Sequence, residues 1–162
     1  MSYDWRTSVW QQLGAAIDML DDTLTLYPDE LWTARVWEDT DDARYGQYWF
    51  IAYHTLAWLD KYVAGASEGF VLPAPFIAGA LPRTPYTKED VQGYLKVCRQ
   101  RCQAAIEALT DERAQQMTEW KMPYFELLLY TMRHVQEHAS QLNYLLGEHG
   151  VKALDWVGRA RA

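Results

Sequence analysis

The sequence contains little cysteine and no long apolar run, and these shortages exclude two classes of protein. Only two of its 162 residues are cysteines, so a small scaffold held together by disulfides is excluded. No window reaches the ~18 uninterrupted apolar residues that a membrane-spanning helix needs. The first residues also lack a basic segment followed by an apolar one. We therefore expect a cytoplasmic protein that does not associate with membranes.

Basic residues are outnumbered by acidic ones, 15 against 22, which gives a formal net charge of -7. This balance does not favour a general phosphate-binding surface, so nucleic acid is not an expected partner. The sequence also lacks a phosphate-cradling glycine loop, a Gly-x-Ser-x-Gly elbow and a His-Glu-x-x-His motif. With 49% hydrophobic and 23% charged residues, the composition is that of an ordinary globular protein, and the length suits one domain over residues 1–162.

Apolar residues recur at helical spacing in four segments, each bounded by residues that start or stop helices. These segments lie between Asp4 and Pro28, from about Tyr45 to Val63, from Thr87 to Leu109 and from Pro123 to about Glu148. Residues 65–86 hold four of the six prolines and three of the nine glycines, which predicts a long crossover loop between the second and third helices. Four helices with one long crossover predict an all-α four-helix bundle. The tail after Val151 is expected to add one helical turn or to pack across the bundle end.

Three of the four histidines lie on the second and fourth helices. His54 is in the middle of the second helix, and His134 and His138 are four residues apart on the fourth, one turn above the other. A single histidine on an apolar face is usually satisfied by a backbone or hydroxyl partner. Three such imidazoles are better satisfied by one shared divalent cation, which neutral ring nitrogens bind well. The remaining histidine, His149, is interpreted as a solvated residue at the helix C-terminus.

A second kind of metal site is compatible with the same spacing. Cys98 and Cys102 are four residues apart on the third helix, and with His134 and His138 they would form a Cys2His2 structural zinc site. This alternative leaves His54 unexplained. The two cysteines also share an apolar stripe, where small core residues are expected.

The histidine pattern resembles that of the DinB/YfiT-type metal-binding four-helix bundles. The resemblance rests on His54 in the second helix and on His-x-x-x-His with Gln-Leu-Asn-Tyr-Leu-Leu after it in the fourth, here residues His134 to Leu146. The link from Leu81 to Asp90, and Tyr94-Leu95 and Cys98-Arg99 after it, are similar to a subgroup of the family. These features extend over nearly the whole chain.

The resemblance implies a metal centre without fixing a reaction. Family members commonly bind nickel, zinc or a similar divalent ion through the three histidines, with iron or manganese as alternatives, and often form homodimers. Characterised relatives include transferases that use low-molecular-weight thiols such as bacillithiol, and a mycothiol-dependent isomerase. This chain has Glu137 where many relatives carry another histidine beside the last ligand, so its outer shell differs from theirs.

Two functional hypotheses follow. The first is a metal-dependent thiol S-transferase or hydrolase that acts on a small molecule, with a low-molecular-weight thiol as a candidate substrate. In this hypothesis His54, His134 and His138 hold the metal and leave one coordination position open. The proline-rich loop and the aromatic second helix are then expected to wall the pocket. The second is a non-catalytic metal-binding or structural bundle that acts through partner binding, whose metal would be closed off by protein ligands.

Overall fold

A computed structural model describes residues 4–152 and 154–162 of the chain. Its helices are α1 (Trp5–Leu26), α2 (Tyr48–Ala64), α3 (Lys88–Glu107), α4 (Asp111–Gln115) and α5 (Tyr124–Glu148). One-turn 3₁₀ helices, at Asp29–Leu31 and Ala43–Gly46, lie in the connection between α1 and α2. Over these residues there is no β-strand, and the all-α prediction is confirmed. None of the described helices is long and apolar enough to cross a membrane.

Each long helix packs mainly against two of the others. α1 contacts α3 and α5, and α2 contacts the same two helices. The Cys98 thiol lies 3.7 Å from the Leu56 carbonyl oxygen, and Arg101 binds Asp60. Since both sequence numbers increase together, α2 and α3 run parallel, and the chain between them must return along the bundle. This return is the predicted crossover, which begins where Gly65 ends α2 in the left-handed conformation at φ 77.

α2 and α5 run in opposite directions, and this pair carries the three histidines. Tyr124, at the start of α5, donates a hydrogen bond to the carbonyl of Val63 at the end of α2. Further along, His134 of α5 lies beside His54 in the middle of α2. A stripe of fully buried α5 side chains packs against the neighbouring helices. Its members are Leu127, Leu128, Thr131, Val135 and Leu142.

The helix starts follow the capping chemistry of the sequence, with one correction. Asp4 accepts the backbone N–H of Arg6 at the start of α1, and Thr87 and Asp90 form a capping box at the start of α3. The prediction that the second helix begins near Tyr45 was wrong by about one turn. Residues 43–46 form a 3₁₀ turn instead, because the backbone of Gly46 accepts a hydrogen bond from the loop at Val36.

The C-terminal tail follows α1 rather than crossing the bundle end. The backbone N–H of Ala160 donates to the carbonyl of Gln11 at 2.9 Å, and that of Arg161 donates to the buried carboxylate of Asp18 at 2.7 Å. Arg99 of α3 also binds Asp18, through Nε at 2.8 Å. Because Asp18 supplies acceptors for both, the tail extends along the α1–α3 side, and its described residues form no helical turn.

We predict that Asp18→Asn lowers the free energy of unfolding by about 2 kcal/mol, since an amide nitrogen cannot accept from Arg99 or Arg161 and a buried charged hydrogen bond is lost. Asp22→Asn is the matched control. Asp22 pairs with the Arg161 side chain nearer the surface, so its replacement should cost less than about 1 kcal/mol. Urea denaturation of both variants measures the difference, and equal losses would contradict this account of the tail.

Candidate metal centre

The antiparallel packing of α2 against α5 brings His54, His134 and His138 together. The Nε2 atoms of His54 and His134 are 3.4 Å apart. The ring centroid of His138 lies 5.3 Å from that of His54 and 4.6 Å from that of His134. One ring nitrogen of each residue lies within 4.8 Å of the others. In the described residues no other group of three or more His, Cys, Asp or Glu side chains converges in this way.

The separation between the ring nitrogens of His54 and His134 suits a metal ion. Two nitrogen ligands at Zn–N bonds of about 2.0–2.1 Å in a tetrahedral site are about 3.3 Å apart, close to the 3.4 Å between the Nε2 atoms of His54 and His134. Nitrogen donors of this kind suit zinc, nickel, iron and copper better than magnesium or calcium. The three imidazoles could therefore hold one divalent ion.

Burial keeps the first two rings in the form that binds metal. Desolvation, with a smaller contribution from His138, lowers the pKa of His54 to about 4. Desolvation also lowers the pKa of His134 to about 3, with smaller contributions from both neighbouring histidines. Both rings are neutral at pH 7, so each has a nitrogen lone pair to donate. The Nδ1 atom of His134 is buried without a hydrogen-bond partner among the described residues, so this ring depends on its other nitrogen for a polar contact.

The third imidazole is oriented by a side chain of its own helix. Nδ1 of His138 lies 2.7 Å from Oε1 of Gln141. An amide oxygen only accepts hydrogen bonds, so Nδ1 of His138 carries the proton and Nε2 carries the lone pair. Outer partners of this kind fix the tautomer and orientation of metal-binding histidines.

A cleft of about 310 Å³ opens onto the histidines. His54 and His138 line it, and its remaining lining residues come mostly from the connection between α1 and α2. They are Trp37, Asp39, Tyr45, Phe50 and Ile51. The prediction that the proline-rich crossover walls this pocket was wrong. That loop packs on another side of α2 and borders a separate cleft of about 400 Å³, which contains none of the three histidines.

The family model for the DinB superfamily matches residues 12–142, which is most of the chain and includes all three histidines. The chain belongs to the DinB superfamily. No curated protein and no solved structure matched it. Membership confirms the family that the histidine pattern indicated, and with the three converging imidazoles it fits a metal-binding DinB-like protein.

The two cysteines of this DinB-superfamily chain do not join the histidines. Cys98 and Cys102 are both buried in the core, and the thiol of Cys98 faces the backbone of Leu56. The Cys2His2 alternative was therefore wrong, because these side chains fill the space between helices as small apolar groups. His149 is exposed, and its Nδ1 lies 3.0 Å from the carbonyl oxygen of Leu145, as predicted for a residue at the end of the last helix.

Two parts of the DinB site were missed by sequence reasoning. Gln141 follows His138 by three residues on one helix face, a spacing that brings side chains into contact, so a signal for it was present. No comparable signal marked Trp37 and Tyr45, because their position depends on how the connection between α1 and α2 folds back.

We predict that His54→Ala, His134→Ala and His138→Ala each lose stoichiometric binding of zinc or nickel. Loss of a residue that only orients a metal ligand lowers the metal affinity by about 10–100-fold. Loss of a ligand itself should lower the affinity further. His149→Ala is the matched control and should bind as the wild type does, since the ring of His149 contacts the carbonyl of Leu145 at its own helix end. Elemental analysis after dialysis measures the metal content, and full retention in all three variants would contradict the site.

Gln141→Leu should weaken zinc binding by about 10–100-fold, because Nδ1 of His138 loses the acceptor that orients the ring. Gln141→Glu keeps an acceptor and should retain the affinity. Gln136→Leu is the control, since Gln136 lies on the same helix but contacts Met19 and Ser140 rather than a histidine. Competition with a chelating dye gives the affinities. Equal affinities for Gln141→Leu and Gln136→Leu would exclude this role.

Proposed function

We propose that this DinB-superfamily protein is a divalent-metal-dependent enzyme that acts on a small molecule, as a thiol S-transferase or as a hydrolase. One observation supports this most strongly: the three imidazoles converge, and those of His54 and His138 line a cleft that is open to solvent. A structural metal site is typically closed by four protein ligands, whereas a catalytic site has three and an open position. Within the described residues no fourth His, Cys, Asp or Glu joins the three histidines.

A divalent ion at such a site lowers the pKa of a thiol or a water molecule that reaches it, and so supplies a nucleophile at neutral pH. Zinc and nickel are the ions we propose, with iron as an alternative, because imidazole nitrogen suits all three. Manganese is the less suitable alternative, because it prefers oxygen ligands.

The chain's own residues would hold and shield this centre. Gln141 holds the proton on Nδ1 of His138 and so keeps the other nitrogen free. The rings of Phe50 and Trp58 lie 5.9 and 6.3 Å from that of His54, and that of Tyr62 lies 6.4 Å from the ring of His134. These aromatic neighbours cover part of the imidazole surface and restrict how the rings turn, and Phe50 does so from the cleft itself.

The cysteines are unsuitable as nucleophiles in this reaction. Burial raises the pKa of Cys102 to about 12 and raises that of Cys98 well above its ordinary value. A thiol in that state carries almost no thiolate at neutral pH and is unreactive. Any thiolate used in the reaction must therefore come from a second substrate that enters the cleft.

We predict that activity requires the metal and does not require either cysteine. The protein is stripped with a chelator and reloaded with zinc or nickel. Thiol transfer is then measured with low-molecular-weight thiols and monochlorobimane or an epoxide. Hydrolysis is measured with esters and amides. The reloaded wild type and the Cys98→Ala/Cys102→Ala variant should react at similar rates, and His138→Ala should lose at least about tenfold.

The metal-free protein provides the baseline for these assays. If the loaded protein exceeds it for no thiol, ester or amide, the proposal fails and the non-catalytic, partner-binding bundle becomes the better interpretation. A homodimer, which the resemblance implies, stays a prediction, and light scattering would separate it from the 18.9 kDa chain.

A further inference from the structure

The cleft above the histidines has an unusual lining for a metal site. Three aromatic residues, Trp37, Tyr45 and Phe50, and one acidic residue, Asp39, line it together with two of the histidines. We call the cleft that these four residues line the aromatic cleft. Its volume of about 310 Å³ is at the small end of the range for ligand pockets. No lysine or arginine is among the described residues that line it.

The backbone fixes the walls of the aromatic cleft. Arg35 and Gln47 form an antiparallel bridge, and the N–H of Val36 donates to the carbonyl of Gly46 at 2.8 Å. A Cβ at Gly46 would collide with the carbonyl oxygen of Trp37, so the absence of a side chain allows this close approach. The bridge thereby holds the segment that carries Trp37 beside the turn that precedes α2.

Two of the rings also support each other at the start of α2. The centroids of Tyr45 and Phe50 are 4.9 Å apart in an edge-to-face arrangement, a preferred geometry for aromatic pairs. Phe50 in turn contacts His54. The rings therefore form a chain of contacts from Tyr45 through Phe50 to His54.

Asp39 places a fixed negative charge at the cleft. Its Oδ1 accepts the backbone N–H groups of Asp41 at 3.0 Å and Asp42 at 3.3 Å, which holds the carboxylate in position. It forms no ion pair within the described part of the chain. The nearby arginines are engaged elsewhere, Arg35 with Glu38 and Arg44 with Asp42.

We propose that the aromatic cleft binds a small organic cation, with an ammonium or quaternary ammonium group between the rings and Asp39. Aromatic faces attract cations within about 6 Å of the ring centre, and quaternary ammonium groups are typically bound by several rings together. The net charge of -7 also favours the approach of a cation over that of an anion. This inference rests on the proposed function, since the bound cation is then the recognition group of the substrate whose other end reaches the histidines.

The test compares choline with 3,3-dimethylbutan-1-ol, which has the same shape but no charge. Both are titrated by calorimetry into zinc-loaded protein whose zinc content has been measured by elemental analysis. Choline should bind at least about tenfold more tightly than the neutral analogue, since several rings and one carboxylate each favour the charge.

Variants assign this preference to the aromatic cleft. Asp39→Asn keeps the shape of the side chain and its backbone hydrogen bonds, and Tyr45→Leu removes one ring. Each should weaken choline binding by about three- to tenfold. Tyr45→Phe keeps the ring and should bind as the wild type does. Tyr144→Leu, which replaces an exposed tyrosine outside the cleft, is the matched control and should also leave binding unchanged.

The outcomes separate this inference from the proposed function. If zinc is bound but choline shows no preference over the neutral analogue, or if Asp39→Asn and Tyr45→Leu bind choline as tightly as Tyr144→Leu does, the cation site is wrong and the metal site stands. If choline is preferred and the variants weaken it, but the protein binds no zinc, the cation site stands and the metal-dependent function is wrong.

Discussion

The antiparallel packing of α2 against α5 is the contact on which the site depends. It places His54, from the middle of one helix, against His134 and His138, one turn apart on the other. Neither helix alone brings three imidazoles together, and a shift of either by one turn, about 5.4 Å along its axis, would separate them. The long crossover lets α3 run parallel to α2, and α2 packs against α3 and α5 together.

Packing three polar rings into this contact has an energetic cost. A buried polar group without a partner destabilises the folded state by about 1–3 kcal/mol, and Nδ1 of His134 has none among the described residues. Burial also disfavours the charged form of His54 and His134, and this lowers the pKa of both rings. A divalent ion bound to the neutral rings would offset this cost, while Gln141 satisfies the third imidazole. Metal binding and stability of this helix pair are therefore expected to be coupled.

Most of the fold could be predicted from the sequence, because apolar spacing, caps such as Thr87 and Asp90, and breakers such as Gly65 act locally. The histidine set was also accessible, since His134 and His138 share a helix face and their resemblance to the family included His54. The walls of the cleft could not be predicted, because the segment of Trp37 reaches the turn of Tyr45 through a close contact between the backbone of Trp37 and Gly46. The course of the tail depends on Asp18, whose two partners are 81 and 143 residues away.

X-ray absorption at the metal edge of the protein loaded with zinc or nickel tests the central claim most directly. The account predicts three imidazole nitrogens at about 2.0–2.1 Å and one further light atom that exchanges when a small ligand is added. A sulfur atom in the first shell of the protein without added thiol would point to Cys98 or Cys102. That result, or a shell with fewer than three imidazoles, would contradict a three-histidine centre between α2 and α5.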